Sequence, residues 1–409
     1  ADIDISQKGT SFTNRTFHDG KDADAVIVNI VPGDFDGDSQ MDVLVMRKAG
    51  ADETQVTVEI YRGSGMKGTL YLTVNETFRD QPIVIDGNGD MAPDLFGETV
   101  DGRRALWVFQ GTSTNSTYQI IYYHGKNDEK LAPLKIPQSS AFLDINGDLN
   151  ADLCAVTEVN GTVVLELWLN LGGVLTHTQS IAAPKELKVV GQASYADLNG
   201  DGVMNIILPG CLDDSCKESA IFVWCHNKVN WLWSRLDINF KKDENQMSFP
   251  KTVKPASWLT LPIAVRMGDF NLDGFPDALA VLSDTNNKLS FCILYNVECG
   301  AGCQNFSRTF SIDYQTALQK DDTSLISFFD LMEDGVLDIL LTVNQNGVPV
   351  IRAIQQDFTG DASFLKVMVV SGLCEKSCPG GHSPYGVNQV GPTARYDSAT
   401  ATGSDQIGV

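Results

Sequence analysis

The stretch Asp34-Phe35-Asp36-Gly37-Asp38-Ser39-Gln40-Met41-Asp42 places carboxylates at positions 1, 3, 5 and 9 of nine residues. The same spacing returns at Asp86, Asn88, Asp90 and Asp94; at Asp144, Asn146, Asp148 and Asp152; at Asp197, Asn199, Asp201 and Asn205; and at Asp269, Asn271, Asp273 and Asp277. A sixth copy keeps Asp330, Asp334 and Asp338 but has Met332 at position 3. First positions lie 52, 58, 53, 72 and 61 residues apart, about the length of a four-stranded antiparallel sheet with its turns. Self-similarity at this period overrides the two or three domains that a length of 409 residues would otherwise suggest.

Apolar, β-branched runs enter and leave each copy. Val26 to Val31 and Val43 to Met46 flank the first, and Ile339 to Val343 follows the sixth. Two more short runs then complete each repeat, such as Val56 to Tyr61 with Leu70 to Val74, or Val163 to Leu169 with Val174 to Ile181. Four strands per repeat predict an all-β propeller with six blades over residues 25–371. The sixth blade is expected from Leu325 to Phe329, Leu337 to Val343, Val348 to Gln355 and Phe364 to Val370. Residues 1–24 form an N-terminal segment in which Thr10 to Phe17 is a candidate blade-closing strand, because a closed propeller leaves few sheet edges exposed. Residues 372–409 read as a Cys-containing loop and the start of a seventh blade, incomplete in this chain. Residues 240–256 lengthen one spacing and read as a solvated insertion.

Clustered carboxylates repel one another unless a cation lies between them. Calcium takes six to eight hard oxygen ligands, and a tight loop with oxygens at positions 1, 3, 5 and 9 and a carbonyl near position 7 supplies them. The glycines Gly37, Gly87, Gly147, Gly200, Gly202 and Gly274 are expected to permit the sharp turns. An EF-hand is excluded, since position 12, where it needs a bidentate Glu, is Val45, Gly97, Ala155, Leu208, Ala280 and Leu341. Five to six calcium sites are therefore expected. Ligand charge makes the first loop the tightest, the fourth weaker, and the Asp330 loop the weakest.

With 30 Lys and Arg against 52 Asp and Glu, the net charge of −22 argues against nucleic acid or an anionic lipid surface as a main partner. No apolar run reaches the roughly 18 residues of a membrane span. The chain starts without Met or an apolar leader, which reads either as a removed signal peptide or as a start partway in. Five sequons, at Asn14, Asn75, Asn115, Asn160 and Asn305, are candidate glycan acceptors of a secretory protein. The close pairs Cys211/Cys216, Cys299/Cys303 and Cys374/Cys378 suit short-loop disulfides, Cys225/Cys292 is a fourth candidate pair, and Cys154 is then the odd thiol.

The repeated loop followed by a strand resembles the FG-GAP repeats of integrin α propellers. Pro384-Tyr385-Gly386-Val387-Asn388, Gly391-Pro392 and Tyr396 look like the T-cell immunomodulatory protein (Linkin) family. That resemblance implies the ectodomain of a type I membrane glycoprotein at the plasma membrane, with its span C-terminal to this chain. It also implies roles in cell adhesion and in modulating T-cell function.

Catalysis is not expected. The five His, at His18, His124, His177, His226 and His382, show no paired spacing, and a metal in the loops would hold the Asp pairs ionised. Two binding classes remain: a cell-surface protein-interaction module and a calcium-dependent lectin. Trp107, Trp168, Trp224, Trp231, Trp233 and Trp258 do not repeat in register with the loops, so protein binding is favoured.

Overall fold

The apolar runs beside the acidic loops are strands, and no described residue is helical. The computed structural model describes residues 2–3, 25–49, 54–63, 68–109, 117–125, 129–227, 229–256, 259–300, 303, 305–314, 322–345, 348–357, 367–370, 388–399 and 405–408. Its architecture is all-β, a β-propeller arrangement of six antiparallel blades. Blade one runs Val26–Gly33, Asp42–Lys48, Thr57–Arg62 and Thr69–Thr73; blade two Ile83–Ile85, Asp94–Glu98, Arg104–Phe109 and Tyr118–Tyr122; blade three Ala141–Leu143, Asp152–Val159, Thr162–Asn170 and Leu175–Ala182. Blade four runs Ser194–Ala196, Asn205–Cys211, Ser219–His226 and Trp231–Arg235, with Val189–Val190 also paired to its second strand. Blade five comprises Val265–Gly268, Asp277–Ser283, Leu289–Glu298 and Arg308–Asp313.

The register explains the repeat. In each blade the residue before position 1 pairs with the residue at position 9: Gly33 with Asp42, Ile85 with Asp94, Leu143 with Asp152, Ala196 with Asn205, Gly268 with Asp277, and Phe329 with Asp338. The acidic stretch is thus the hairpin connection between the first and second strands of every blade. Interior strands are apolar runs because both faces are covered; Asp94–Glu98, Arg104–Phe109 and Asn205–Cys211 are buried at every residue. The edge strand Leu175–Ala182 buries only Leu175 and Ile181, and its remaining residues are polar or small.

The chain divides into two compact units, one from residues 11–182 and 367–393, the other from residues 1–10, 183–366 and 394–409. In the first, blades one and two share a core of Phe35, Leu44, Ile60, Phe78 and Trp107, with Phe78 edge-on to Trp107 at 4.7 Å. Blades two and three share Ile85, Phe96, Leu153 and Trp168. In the second unit, Ile207, Val223, Val265 and Leu294 join blades four and five, while Leu279, Phe291, Ile326 and Leu341 join blades five and six. Each of these side chains contributes about 1.5–3 kcal/mol by leaving water.

Several expectations are corrected. Blade six contains Asp322–Phe329, Asp338–Gln345 and Val348–Ile354, but its fourth strand is Asp2–Ile3, paired Asp2 to Ile354 and Ile3 to Ala353. Of Phe364 to Val370, expected in that place, the described residues Val367 to Val370 are exposed, with a bridge from Val370 to Asn388 and the Gln389 N–H donating to the Val369 carbonyl. An N-terminal strand therefore does complete a blade, although the residues expected to do so, Thr10 to Phe17, lie outside the described ones. No seventh four-stranded sheet occurs among the described residues; Tyr396–Ala399 and Asp405–Gly408 pair as a two-stranded hairpin. The 240–256 segment is not merely solvated. Its charged residues 241–244 form a hairpin turn, and Phe240, Met247 and Phe249 enter the core of blades four and five.

Cys211–Cys216 and Cys299–Cys303 are disulfides, as expected. Cys225 and Cys292 are not bonded to each other; both are buried thiols, and Cys154 is buried too. The Cys292 thiol donates to the Ala280 carbonyl. Cys374 and Cys378 lie outside the described residues.

Candidate metal centre

All six hairpin loops have one backbone design. Positions 4 and 6 adopt the left-handed conformation in every copy: Gly37 and Ser39, Gly89 and Met91, Gly147 and Leu149, Gly200 and Gly202, Leu272 and Gly274, Glu333 and Gly335. Each loop thus has at least one glycine where a side chain would be strained. Gly87, expected among these, is at position 2, and Gly89 takes the left-handed place.

This winding turns amide N–H groups toward the position-1 carboxylate. Asp34, Asp86, Asp144, Asp197, Asp269 and Asp330 each accept the position-6 N–H on one oxygen and a position-4 or position-5 N–H on the other, at 2.7–3.2 Å. At position 5, Asp38, Asp90, Asp148, Asp201, Asp273 and Asp334 each accept the N–H two residues on. At position 3, Asp36, Asn88, Asn146 and Asn271 accept the position-5 N–H. Met332 has no such acceptor.

Position 9 has a second duty that the nine-residue pattern does not reveal. Asp42, Asp94, Asp152, Asp277 and Asp338 accept the position-2 N–H on one oxygen. The other oxygen accepts an N–H in or just past the third strand, from Gly63, Phe109, Asn170, Asn296 and Gln356 respectively. Each of these carboxylates therefore fastens its loop to the sheet. Asn205 has one acceptor oxygen and uses it for the Leu198 N–H.

The first loop gathers its acids most closely. Asp34, Asp36 and Asp42 are buried and bring one carboxylate oxygen each within 4.8 Å of one another, the sole such His, Cys, Asp or Glu group among the described residues. In the other loops position 3 is an amide or Met332, so fewer charges converge. Burial, reinforced by neighbouring acids, pushes Asp42 and Asp94 up to about 8. Burial likewise takes Asp277 to about 7 and Asp34 to about 6. Asp36, Asp86, Asp152, Asp197 and Asp269 are raised for the same leading reason. Exposed Asp148 is instead lowered, chiefly by the Asn150 N–H.

Two further atoms bear on whether a cation fits. Ser39 Oγ in the first loop and Asn199 Oδ1 in the fourth are buried without a hydrogen-bond partner. The donor set is oxygen throughout, which suits a hard cation and not zinc. One feature opposes the ranking by ligand charge: the Arg62 guanidinium already lies on Asp36, Nε to Oδ2 at 2.8 Å. Nothing in the repeat marks Arg62, since it comes from the third strand.

Six blades, each with an acidic hairpin between its first two strands and five of these fastened by a carboxylate, define a β-propeller protein whose loops are built to one pattern. No family model matches the chain. It is 35% identical to the T-cell immunomodulatory protein of Mus musculus over 397 residues, covering 94% of this chain and 63% of that protein. The Homo sapiens protein of the same name is 34% identical over 399 residues, with the same coverage of both chains. Protein linkin of Caenorhabditis elegans is 27% identical over 365 residues, covering 85% of this chain and 58% of its own length. The chain belongs to the T-cell immunomodulatory protein family and spans somewhat less than two thirds of these relatives. A solved endo-arabinase from Bacteroides thetaiotaomicron aligns at a TM-score of 0.35 and 14% identity over 69% of this chain and 95% of its own, a likeness too slight to decide anything.

Proposed function

We propose that this chain is an extracellular, calcium-stabilised propeller that acts as a cell-surface protein-interaction module. The observation that carries the reading is the set of six acidic hairpin loops in identical register, with carboxyls raised by burial in the first five and three carboxylates converging in the first, a costly arrangement unless a cation neutralises it. Oxygens at positions 1, 3, 5 and 9 and the position-7 carbonyl would hold the ion. It would neutralise acids that otherwise repel and so hold the hairpin at each blade's head.

The sequons at Asn75, Asn160 and Asn305 are exposed, and two short-loop disulfides are formed, both of which support an oxidising, secretory address. The relatives' names support a role in T-cell modulation and, more coarsely, a cell-surface or secreted address. A binding role is preferred to catalysis because the described histidines, His124, His177 and His226, lie in three different places, none in an acidic loop.

Affinity capture from intact cells with the calcium-loaded chain, repeated in chelator, tests the binding role. A saturable surface protein retained in calcium and lost in chelator is the expected result. No surface protein enriched over an unrelated propeller would overturn it.

A further inference from the structure

Blades four and five line an open cleft of about 660 Å³. Asn199 and Asp201 of the fourth loop line one side, His226 and Trp231 of blade four another, and Asn305 and Ser307 of blade five a third. Its floor includes the buried Phe306 and the Cys225 thiol.

The aromatic wall is the end of a ladder. On strands Ser219–His226 and Trp231–Arg235, Trp224 pairs with Trp233 and His226 with Trp231. Trp231 stacks on Trp224 with centroids 6.4 Å apart and planes 16° apart, and lies 5.5 Å from His226. It is nevertheless 43% exposed, a large indole surface left to water. Asn199 Oδ1 is buried without a partner, whereas the matching oxygens of Asn88, Asn146 and Asn271 accept an N–H. An unpaired buried acceptor of this kind is disfavoured until a donor reaches it.

We infer that this cleft binds a neutral saccharide, with one sugar face against Trp231 and hydroxyl or acetamido groups on the amide, carboxylate and hydroxyl groups opposite. A pyranose ring has a flat C–H face that packs on an exposed indole and a rim of hydroxyls that needs convergent polar groups. Both are supplied here. No Lys or Arg lines the cleft among the described residues, so nothing there selects a phosphate, sulfate or acidic sugar. A hydrocarbon side chain would leave the amides and Asp201 without partners.

Two sources could provide the same sugar. Asn305 heads the sequon Asn305-Phe306-Ser307, is exposed, and lines the cleft itself, so the chain's own glycan could fill it. A glycan on another molecule offers the same chemistry. Trp231, His226, Asn305 and Ser307 lie outside the fourth loop and act without calcium, whereas Asn199 and Asp201 are positions 3 and 5 of that loop and are shared with the proposed ion.

The probe is N,N'-diacetylchitobiose, the disaccharide at the root of every N-glycan, titrated by tryptophan fluorescence and saturation-transfer NMR. Four forms of the full secreted chain are compared: wild type, Asn305→Gln, and each of these carrying Trp231→Ala. Binding by the wild type assigns the cleft to a glycan on another molecule; binding only after Asn305→Gln assigns it to the chain's own. In either case Trp231→Ala should weaken binding by at least about tenfold, and His226→Ala, at an exposed site, should weaken it without unfolding. Absence of binding by both wild type and Asn305→Gln, or binding unchanged by both aromatic substitutions, would overturn the inference. Bound calcium is counted on the same samples, so a chain that holds calcium without binding the sugar overturns only this inference, and one that binds the sugar without holding calcium overturns only the loop sites.

Discussion

Asp277→Ala is expected to destabilise the chain by about 3–6 kcal/mol in chelator, and by more in calcium, where a position-9 ligand is lost as well. Asp277 is fully buried and accepts N–H groups from Phe270 at 3.1 Å and from Asn296 at 2.8 Å. Removing it orphans both donors, each at a cost of about 1–3 kcal/mol, and unsettles a network that is itself buried. Asn296 donates to the Leu198 carbonyl of blade four and accepts from Arg308 Nε, each at 2.9 Å. Asp277→Asn keeps one acceptor and should lose roughly half as much. Asp334→Ala, at an exposed position of the Met-interrupted loop, should cost less than about 1 kcal/mol. Chemical denaturation of the intact chain reads all three. A loss from Asp277→Ala that appears only in calcium would mean the residue is a metal ligand and nothing more.

In chelator, thermal stability should fall as pH rises from 4 to 8, and calcium should reverse the trend. Asp42 and Asp94 are pushed up to about 8, Asp277 to about 7 and Asp34 to about 6, all from an ordinary aspartate value near 4. A carboxyl whose folded-state value is raised holds its proton more tightly folded than unfolded. Its favourable contribution is complete below the unfolded value and is lost as pH passes the folded one. The window is therefore about pH 4 to 8. A cation needs the ionised form, so its stabilising increment should grow across the same window. At one hundred times the dissociation constant each occupied loop adds about 2.7 kcal/mol. Several loops together should widen the calcium-minus-chelator melting difference by on the order of 10 °C at pH 8 relative to pH 5. Melting curves at fixed calcium across that pH range check it, and a difference that shrinks with rising pH would run against the expected sign.

The sequence carries the strand–loop–strand unit openly, because the pairing of the residue before position 1 with position 9 forces an acidic connection between two apolar runs. Ligand positions 1, 3 and 5 are equally open, since their side chains act within the loop. Long-range partners are not. The fastening N–H groups of Gly63, Phe109, Asn170, Asn296 and Gln356 are backbone atoms 15 to 21 residues downstream, and any residue type can donate one. Left-handed Ser39, Met91, Leu149, Leu272 and Glu333 are hidden because tertiary packing forces on them a conformation their side chains do not advertise.

Blade six shows a different limit. Its fourth strand is two residues, Asp2 and Ile3, too short for any periodicity, whereas the apolar Val367 to Val370 has strand composition without a partner strand. The charges at 241–244 drew the 240–256 segment toward solvent, yet they occupy only its turn, and the flanking Phe240, Met247 and Phe249 decide where it packs. Cys225 and Cys292 share one apolar core, but proximity of composition does not set the geometry a disulfide requires.

The central claim, that these loops hold calcium, is tested most directly by counting ions. The intact chain is stripped with chelator, exchanged into calcium-free buffer and titrated with calcium by calorimetry, with bound metal measured independently by elemental analysis. Five to six ions per chain are predicted, with the Asp330 loop filling last. A chain that binds none, or a single ion in the Asp34 loop alone, would contradict it.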